Sequence, residues 1–165
     1  MYTRVVVPVD GSELSEWALP HGEELARAIG LPLHLIRVDE VVSSAGFAMA
    51  EYPYSDNLIV GARQSEESIA DDYLTRLRDY YTDRKLRVTT ERRTGRIIQE
   101  LLDAARHGDV YVMASHGRGG VSRWFLGSVV EEITRHSTVP VMVVRANTAE
   151  HRHLASIVHL ANHRR

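Results

Sequence analysis

The residues best suited to chemistry fall in two places. The first is Val9-Asp10-Gly11-Ser12, which follows a short apolar run. The second is Ala114-Ser115-His116-Gly117-Arg118-Gly119-Gly120, followed further on by Gly127-Ser128. Glycines let a backbone take positive φ and let a ligand come close. Successive backbone N–H groups in such a loop form an anion nest. Gly127-Ser128 reads as the start of a helix, whose unpaired N–H groups and roughly half a positive charge attract anions. The Ser128 hydroxyl adds one more donor. Loop and helix start together would grip a di- or triphosphate, with Asp10 facing them from the other strand end.

Familiar phosphate motifs do not fit. The Walker pattern needs Gly-Lys-Ser/Thr, and no Lys precedes Ser128. The dinucleotide fingerprint belongs after the first strand, and Asp10-Gly11-Ser12-Glu13 does not match it. Plainer readings stand beside the functional ones. Asp10 and Ser128 each suit a helix cap, a role that can coexist with ligand binding. The glycines suit a flexible loop. His116 has a side chain that titrates near neutrality, but as a loop residue it reads as a polar contact before a general base. Arg118 and Arg123 either balance phosphate charge or stay solvated. Trp124 and Phe125 read as packing the loop rather than stacking on a base.

These positions need elements to hold them. Arg4 to Val9 is nearly continuous and β-branched, the mark of a strand buried on both faces in a parallel sheet. Ser12 caps a first helix, with Glu13 and Glu16 in its first turn, a kink at Pro20 and Gly30 at its end. Leu14, Trp17, Ala18, Leu25, Ala28 and Ile29 form its apolar side. Leu33 to Val38 is a second strand. Residues 39–64 show no periodicity and read as an irregular lid or loop. Phe47, Met49, Tyr52 and Tyr54 in it suit a lid or a dimer contact equally. Ser65 caps a second helix with the stripe Ile69, Tyr73, Leu77, Tyr80. Leu86 to Glu91 is a polar, edge-like third strand anchored by Val88. Thr94-Gly95 opens a third helix, which His107-Gly108 closes. Asp109 to Ala114 is the fourth strand, Gly127-Ser128 opens the fourth helix, and Pro140 to Val144 is the fifth strand. Strands alternating with helices predict an α/β fold with a parallel sheet and right-handed crossovers.

Composition bounds the rest. The chain has 165 residues, 44% hydrophobic and 25% charged, which predicts one folded domain with a little left over. Net charge is −2, so no broad polyanion surface is expected and nucleic acid is not a predicted partner. There is no cysteine, which excludes disulfides, thiolate catalysis and Cys-ligated zinc. No apolar run reaches the roughly 18–20 residues of a membrane helix, and no signal-peptide pattern precedes the first strand. A cytoplasmic protein is the expectation. The surplus is residues 146–165, a His- and Arg-rich tail in which Leu154, Ile157, Val158 and Ala161 are spaced for a short helix. His151, His153, His159 and His163 in it read as a solvated or interface helix before a metal site.

At this point the sequence resembles the universal stress protein family. The resemblance rests on Val-Pro-Val-Asp-Gly-Ser at 7–12, Ala-Ser-His-Gly-Arg-Gly-Gly at 114–120 and Leu-Gly-Ser-Val at 126–129. Arg135-His136 and Val139-Pro140-Val141 add to it. It runs from about Arg4 to Arg145, with the segment Asp39 to Gln64 poorly covered, and marks residues 1–145 as the domain. The family's nucleotide-binding branch carries Gly, two residues, Gly, nine residues, then Gly-Ser/Thr. Here Gly117 and Gly127-Ser128 fit, and Ala114 stands where the first glycine belongs.

The resemblance implies a Rossmann-like, open five-stranded parallel sheet of order 3-2-1-4-5 with helices on both faces. It implies a site in which Pro8, Val9 and Asp10 meet adenine and ribose, with Asp10 near a divalent metal such as magnesium. Val38, Met113 and Ala114 would line the adenine slot. His116, Gly117 and Arg118 would stand near ribose and phosphates, and Gly127, Ser128 and Val129 would bind phosphate. It implies ATP or AMP as ligand and a homodimer through the last strand. The function expected is an adenine-nucleotide-binding stress-response or signalling module with an unidentified protein partner. Two alternatives stay open: a slow ATPase or phosphoryl-transfer enzyme at the same site, and a dimerisation module without nucleotide.

Overall fold

A computed structural model describes residues 1–40, 56–115 and 127–146, with the backbone alone over 56–66. The elements run β1 (Arg4–Pro8), α1 (Glu13–Glu16), α2 (Ala18–Ile29), β2 (Leu33–Glu40), α3 (Asp56–Asp83), β3 (Val88–Gly95), α4 (Ile97–Ala104), β4 (Asp109–Ser115), α5 (Ser128–His136) and β5 (Val141–Arg145). All strand pairs are parallel, in the order β3-β2-β1-β4-β5. The predicted sheet is the observed one.

The valines of β1 show why. Val5, Val6 and Val7 are almost fully buried, so both faces of the strand need cover. Val5, Val7 and Val9 share one face with Leu33, Leu35, Val112 and Ala114, packed against residues of α2 and α3. Val6 shares the other with Ile36, Tyr111 and Met113, packed against Leu101, Ala104, Val130 and Ile133 of α4 and α5. Both faces of the sheet are therefore packed, and both edges of β1 are paired.

The first predicted helix is two helices. Ser12 caps α1 as expected, its hydroxyl accepting from the Ser15 N–H at 3.1 Å. The break falls at Trp17, not Pro20. Pro20 is the third residue of α2, where its missing N–H has no helical acceptor to lose. The buried side of α2 runs through Ala18, Leu19, Gly22 and Ala26, while Ala28 and Ile29 are exposed. Gly22 escapes a hydrophobic count, yet it sets the helix–sheet distance: a Cβ there would lie 2.5 Å from Val7 Cγ2. Gly30 ends α2 in the left-handed region at φ 71°, as predicted.

Other boundaries move. Helix α3 begins at Asp56 rather than Ser65, so residues 56–64 are helical, and β2 extends through Asp39 and Glu40. The core stripe of α3 is Ala70, Leu74, Leu77 and Tyr81; Tyr73 and Tyr80 flank it and Ile69 faces solvent. Strand β3 starts at Val88 and continues to Gly95, because its polar residues are paired along β2 through Glu40. It is an edge strand, as expected. Thr94-Gly95 thus ends a strand instead of opening a helix, and α4 is capped by Arg96. His107-Gly108 lies in the turn before β4, since α4 ends at Ala104 with Ala105 as its C-cap. Ser115 is the last residue of β4, and β5 is displaced by one residue to Val141–Arg145. The lid aromatics, Trp124, Phe125, Arg123 and the tail helix lie outside the described residues.

A polar chain crosses the α4 side of the sheet. Arg4 donates to both carboxylate oxygens of the fully buried Asp109, at 2.7 and 2.9 Å. Asp109 also accepts from the Arg106 N–H at 2.8 Å. Buried His34 sits between Thr89 Oγ1 and Glu91 on β3. Burial, helped by nearby Arg4, holds its imidazole below the ordinary value against the pull of Glu91. Removing one member of a buried pair leaves an uncompensated charge. Asp109→Ala is expected to lower unfolding free energy by about 3–5 kcal/mol in chemical denaturation, and Arg4→Met with Asp109→Leu to recover much of it.

Candidate functional site

The chain leaves β1 toward β2 on one side and returns to β4 on the other. Ligands in open α/β sheets bind at such reversals, beyond the carboxyl ends of the strands. A cleft of about 240 Å³ opens there. Pro8, Val9 and Asp10 border it from the end of β1, Ile36 and Val38 from β2, and Met113 and Ala114 from β4. Gly127, Ser128, Val129 and Val130 close it from the start of α5. Every predicted site residue within the described chain is in this one lining. His116, Gly117 and Arg118 lie outside the described residues.

Sequence reasoning missed Leu14, Ser15, Ile36, Ile97, Leu101 and Val130, which also line the cleft. Two signals were available. Ile36 lies two residues from Val38, and alternate residues of a strand share a face. Ile97 and Leu101 are four apart, one face of a helix.

Asp10 is not the cap of α1; Ser12 is. The Asp10 carboxylate instead accepts from the Ser12 N–H at 2.8 Å, and the Asp10 N–H donates to Ser15 Oγ at 3.2 Å. The Ser15 hydroxyl donates to the Ser12 carbonyl at 3.0 Å. The turn is thus cross-braced before any ligand arrives. Gly11 makes it sharp, with φ 83°. Partial burial pushes the Asp10 carboxyl up, but hydrogen bonds from Ser12 and Ser15 outweigh it and hold it below the usual carboxylate value. Asp10 is therefore ionised at neutral pH and can accept hydroxyl donors.

Ala114 is in ordinary extended backbone within β4, since Lys85 is the non-glycine with positive φ among the described residues. Its methyl belongs to the core on the α2 side. Met113 belongs to the opposite cluster. Alanine at the first motif position is accommodated without backbone strain.

Gly127, not Ser128, is the N-cap of α5, and Ser128 is its first helical residue. The reason is the backbone: Gly127 is extended, with ψ 147°, and makes no side-chain cap. The Glu131 N–H is bonded to the Gly127 carbonyl at 2.9 Å. The N–H groups of Ser128, Val129 and Val130 precede that bond and have no helical acceptor. Gly127 has φ −50°, which any residue can adopt, and a Cβ there would meet no described atom within 4 Å. Neither backbone strain nor packing against a described residue calls for glycine here.

The arrangement is chemically mixed. Aliphatic side chains and Met113 form much of the lining; its polar groups are one ionised carboxylate, the serines of the β1–α1 turn, and the backbone donors and serine hydroxyl at the start of α5. Above the unfolded carboxyl value of about 3.9, the bonds to Asp10 favour the folded state, and this contribution is lost as pH falls through its lower folded value. Ser12→Ala and Ser15→Ala should each raise the Asp10 titration midpoint, read from its side-chain carboxyl signal by NMR. An unchanged midpoint in both variants would contradict the bracing.

The universal stress protein family profile matches residues 1–145. Universal stress protein G of Salmonella typhimurium is 31% identical over 156 residues, spanning 88% of this chain and all of that protein. Universal stress protein MJ0531 of Methanocaldococcus jannaschii is 26% identical over 147 residues, 88% of this chain and 83% of its own. Among solved structures, a universal stress protein in complex with cAMP matches with TM-score 0.59 and 19% identity, over 88% of this chain and 98% of that one. The Archaeoglobus fulgidus universal stress protein in complex with dAMP has TM-score 0.50 and 18% identity, over 86% and 97%. UspA from Lactobacillus plantarum has TM-score 0.68 and 21% identity, over 87% and 98%.

Proposed function

Since the chain belongs to the universal stress protein family, we propose that it binds an adenine nucleotide, AMP or ATP, in the cleft and acts as a homodimeric cytoplasmic regulatory module. The observation that carries the reading is Gly127: a side chain there would project from the cleft lining into space clear of described atoms. A backbone kept bare at a helix start suits close approach by a phosphate. Val9, Val38, Met113 and Ala114 would hold the adenine, with Pro8 at the edge. Asp10 would accept the ribose hydroxyls. Ser128 and the N–H groups of Ser128 and Val129 would take phosphate, with His116, Gly117 and Arg118. Relatives of this fold bound to cAMP and dAMP support the ligand class.

Asp10 is also the carboxylate to take a magnesium ion carried in with the phosphates. Mg²⁺ is commonly held by one or two carboxylates, phosphate oxygens and water. No group of three or more metal-binding side chains occurs among the described residues, which fits an ion brought by the nucleotide better than a resident one.

Strand β5 supports the dimer. Among the described residues it is an edge strand with one side unpaired, and Met142 on it is 42% exposed. Pairing with a second copy would cover that edge. No described helix is long and apolar enough to cross a membrane.

AMP at a hundred times its Kd is expected to stabilise the protein by about 2.7 kcal/mol. Gly127→Val should leave the ligand-free melting temperature nearly unchanged and weaken AMP binding at least about tenfold, on the tenfold-per-1.4 kcal/mol scale. No thermal shift with millimolar AMP or Mg·ATP, and no nucleotide in a denatured extract, would sink the reading. Phosphate release from ATP should stay far below the ~1–100 s⁻¹ of kinases. Met142→Lys is expected to convert a dimer to a monomer in light scattering while sparing the fold.

A further inference from the structure

Helix α1 has two working sides. Leu14 and Ser15 line the cleft. Glu16 turns the other way, toward α3, and is 8% exposed. Its Oε1 accepts from the Tyr73 hydroxyl at 2.8 Å. Its Oε2 is buried and has no hydrogen-bond partner among the described residues. A buried carboxylate with one bare oxygen is expensive, and the usual relief is to keep the proton.

We propose that Glu16 is a proton-binding residue linked to the cleft: wedged between α1 and α3 with one carboxylate oxygen unpartnered among the described residues, it exchanges a proton in step with the cleft, so that a proton on Glu16 and an anionic nucleotide in the cleft favour each other. This rests on the nucleotide reading above and names a regulation of that site.

The surroundings argue for the neutral form. Asp10 and Glu13 are the carboxylates near enough to repel a charge on Glu16. From α3, Tyr73 donates one hydrogen bond and Tyr81 lies within electrostatic reach. From β2, Arg37 lies over the Tyr73 ring at 5.8 Å, but its Nε is engaged by Asp39 at 2.8 Å. Burial is the largest influence, and with Asp10 and Glu13 it outweighs Tyr73, so Glu16 is held above its ordinary value. The Tyr73 hydroxyl is itself pushed up by burial and by Glu16, and stays protonated.

The link to the cleft is electrostatic. Asp10 lines the cleft and is within Coulombic range of Glu16. A phosphate entering that field adds negative charge and raises the proton affinity of Glu16. Linkage makes the effect mutual, so protonation must tighten the anion in equal measure. An uncharged nucleoside in the same cleft would leave the proton undisturbed.

The sign for stability follows. Because Glu16 is raised above its unfolded value, its contribution is fully present below the unfolded value of about 4.3 and is lost as pH rises through the folded one. Glu16→Gln keeps the shape and acceptor for Tyr73 without the charge.

Two measurements test the proposal. In ligand-free protein, the Glu16 carboxyl signal, assigned with Glu16→Gln, is expected to titrate above the ordinary glutamate value, and Tyr73→Phe to move it higher still. Titration at or below about 4.3, or a downward move in Tyr73→Phe, would overturn it. The second is calorimetry with AMP and with adenosine, in buffers of different ionisation enthalpy. Wild type should take up more protons with AMP than Glu16→Gln does, and the two should match with adenosine. The phosphate's own titration is common to both proteins and cancels. AMP affinity of the wild type, relative to Glu16→Gln, should fall as pH rises through the Glu16 midpoint, by at most about tenfold per pH unit for one linked proton. Equal proton uptake in both proteins would overturn the linkage. If neither ligand binds, the nucleotide reading fails and the linkage with it, while the carboxyl titration still decides whether Glu16 holds its proton.

Discussion

Everything in this molecule is arranged around a strand that has no free surface. β1 is paired on both edges, and Val5, Val6 and Val7 are buried on both faces. Such a strand demands cover on both sides of the sheet, which right-handed crossovers supply. It also forces a reversal. The chain must lay β2 and β3 on one side of β1, then β4 and β5 on the other. The two crossovers diverge at the carboxyl end of β1, and the space between them is the cleft. The site is thus a by-product of burying three valines.

The phosphate site proposed for this cleft would not require a basic chain. Net charge is −2, and the described lining holds no lysine or arginine. The start of α5 offers N–H groups that have no helical acceptor, are fixed in direction and carry no desolvation cost of a buried cation. Arginines of the described chain are spent elsewhere, on Asp109, Glu23, Asp39 and Glu91. Arg4–Asp109 ties β1 to β4 and Arg92–Asp39 ties β3 to β2, while Arg93–Glu91 lies within β3. The turn at Asp10 is similarly self-contained: its serines bond to each other and to the carboxylate, leaving little to rearrange.

How far the site was legible depended on the range of the interactions. Val9-Asp10-Gly11-Ser12 and Gly127-Ser128 were readable because turn chemistry is local: a glycine, a capping serine and a strand end announce themselves within a few residues. The boundaries that moved were those decided by a partner. β3 runs to Gly95 because β2 offers pairing that far, not because Arg92 and Arg93 favour strands. The stripe of α3 is set by which residues meet the sheet, so Leu74 and Tyr81 outrank Ile69. Gly22 was invisible to any apolar count, yet the absence of its side chain sets how closely α2 lies against Val7.

By itself, the sequence determined the fold class, the strand order implied by family resemblance, and many of the described residues that line the cleft. These rest on period, on turn residues and on short motifs, all of which act over a few bonds. Only the tertiary structure decided what Glu16 is. In sequence it is an acidic residue well placed for a helix dipole. In the fold it faces Tyr73, fifty-seven positions away, and its second carboxylate oxygen is buried with no hydrogen-bond partner among the described residues. Desolvation is a property of surroundings, and surroundings are assembled from residues that the chain brings together only by folding.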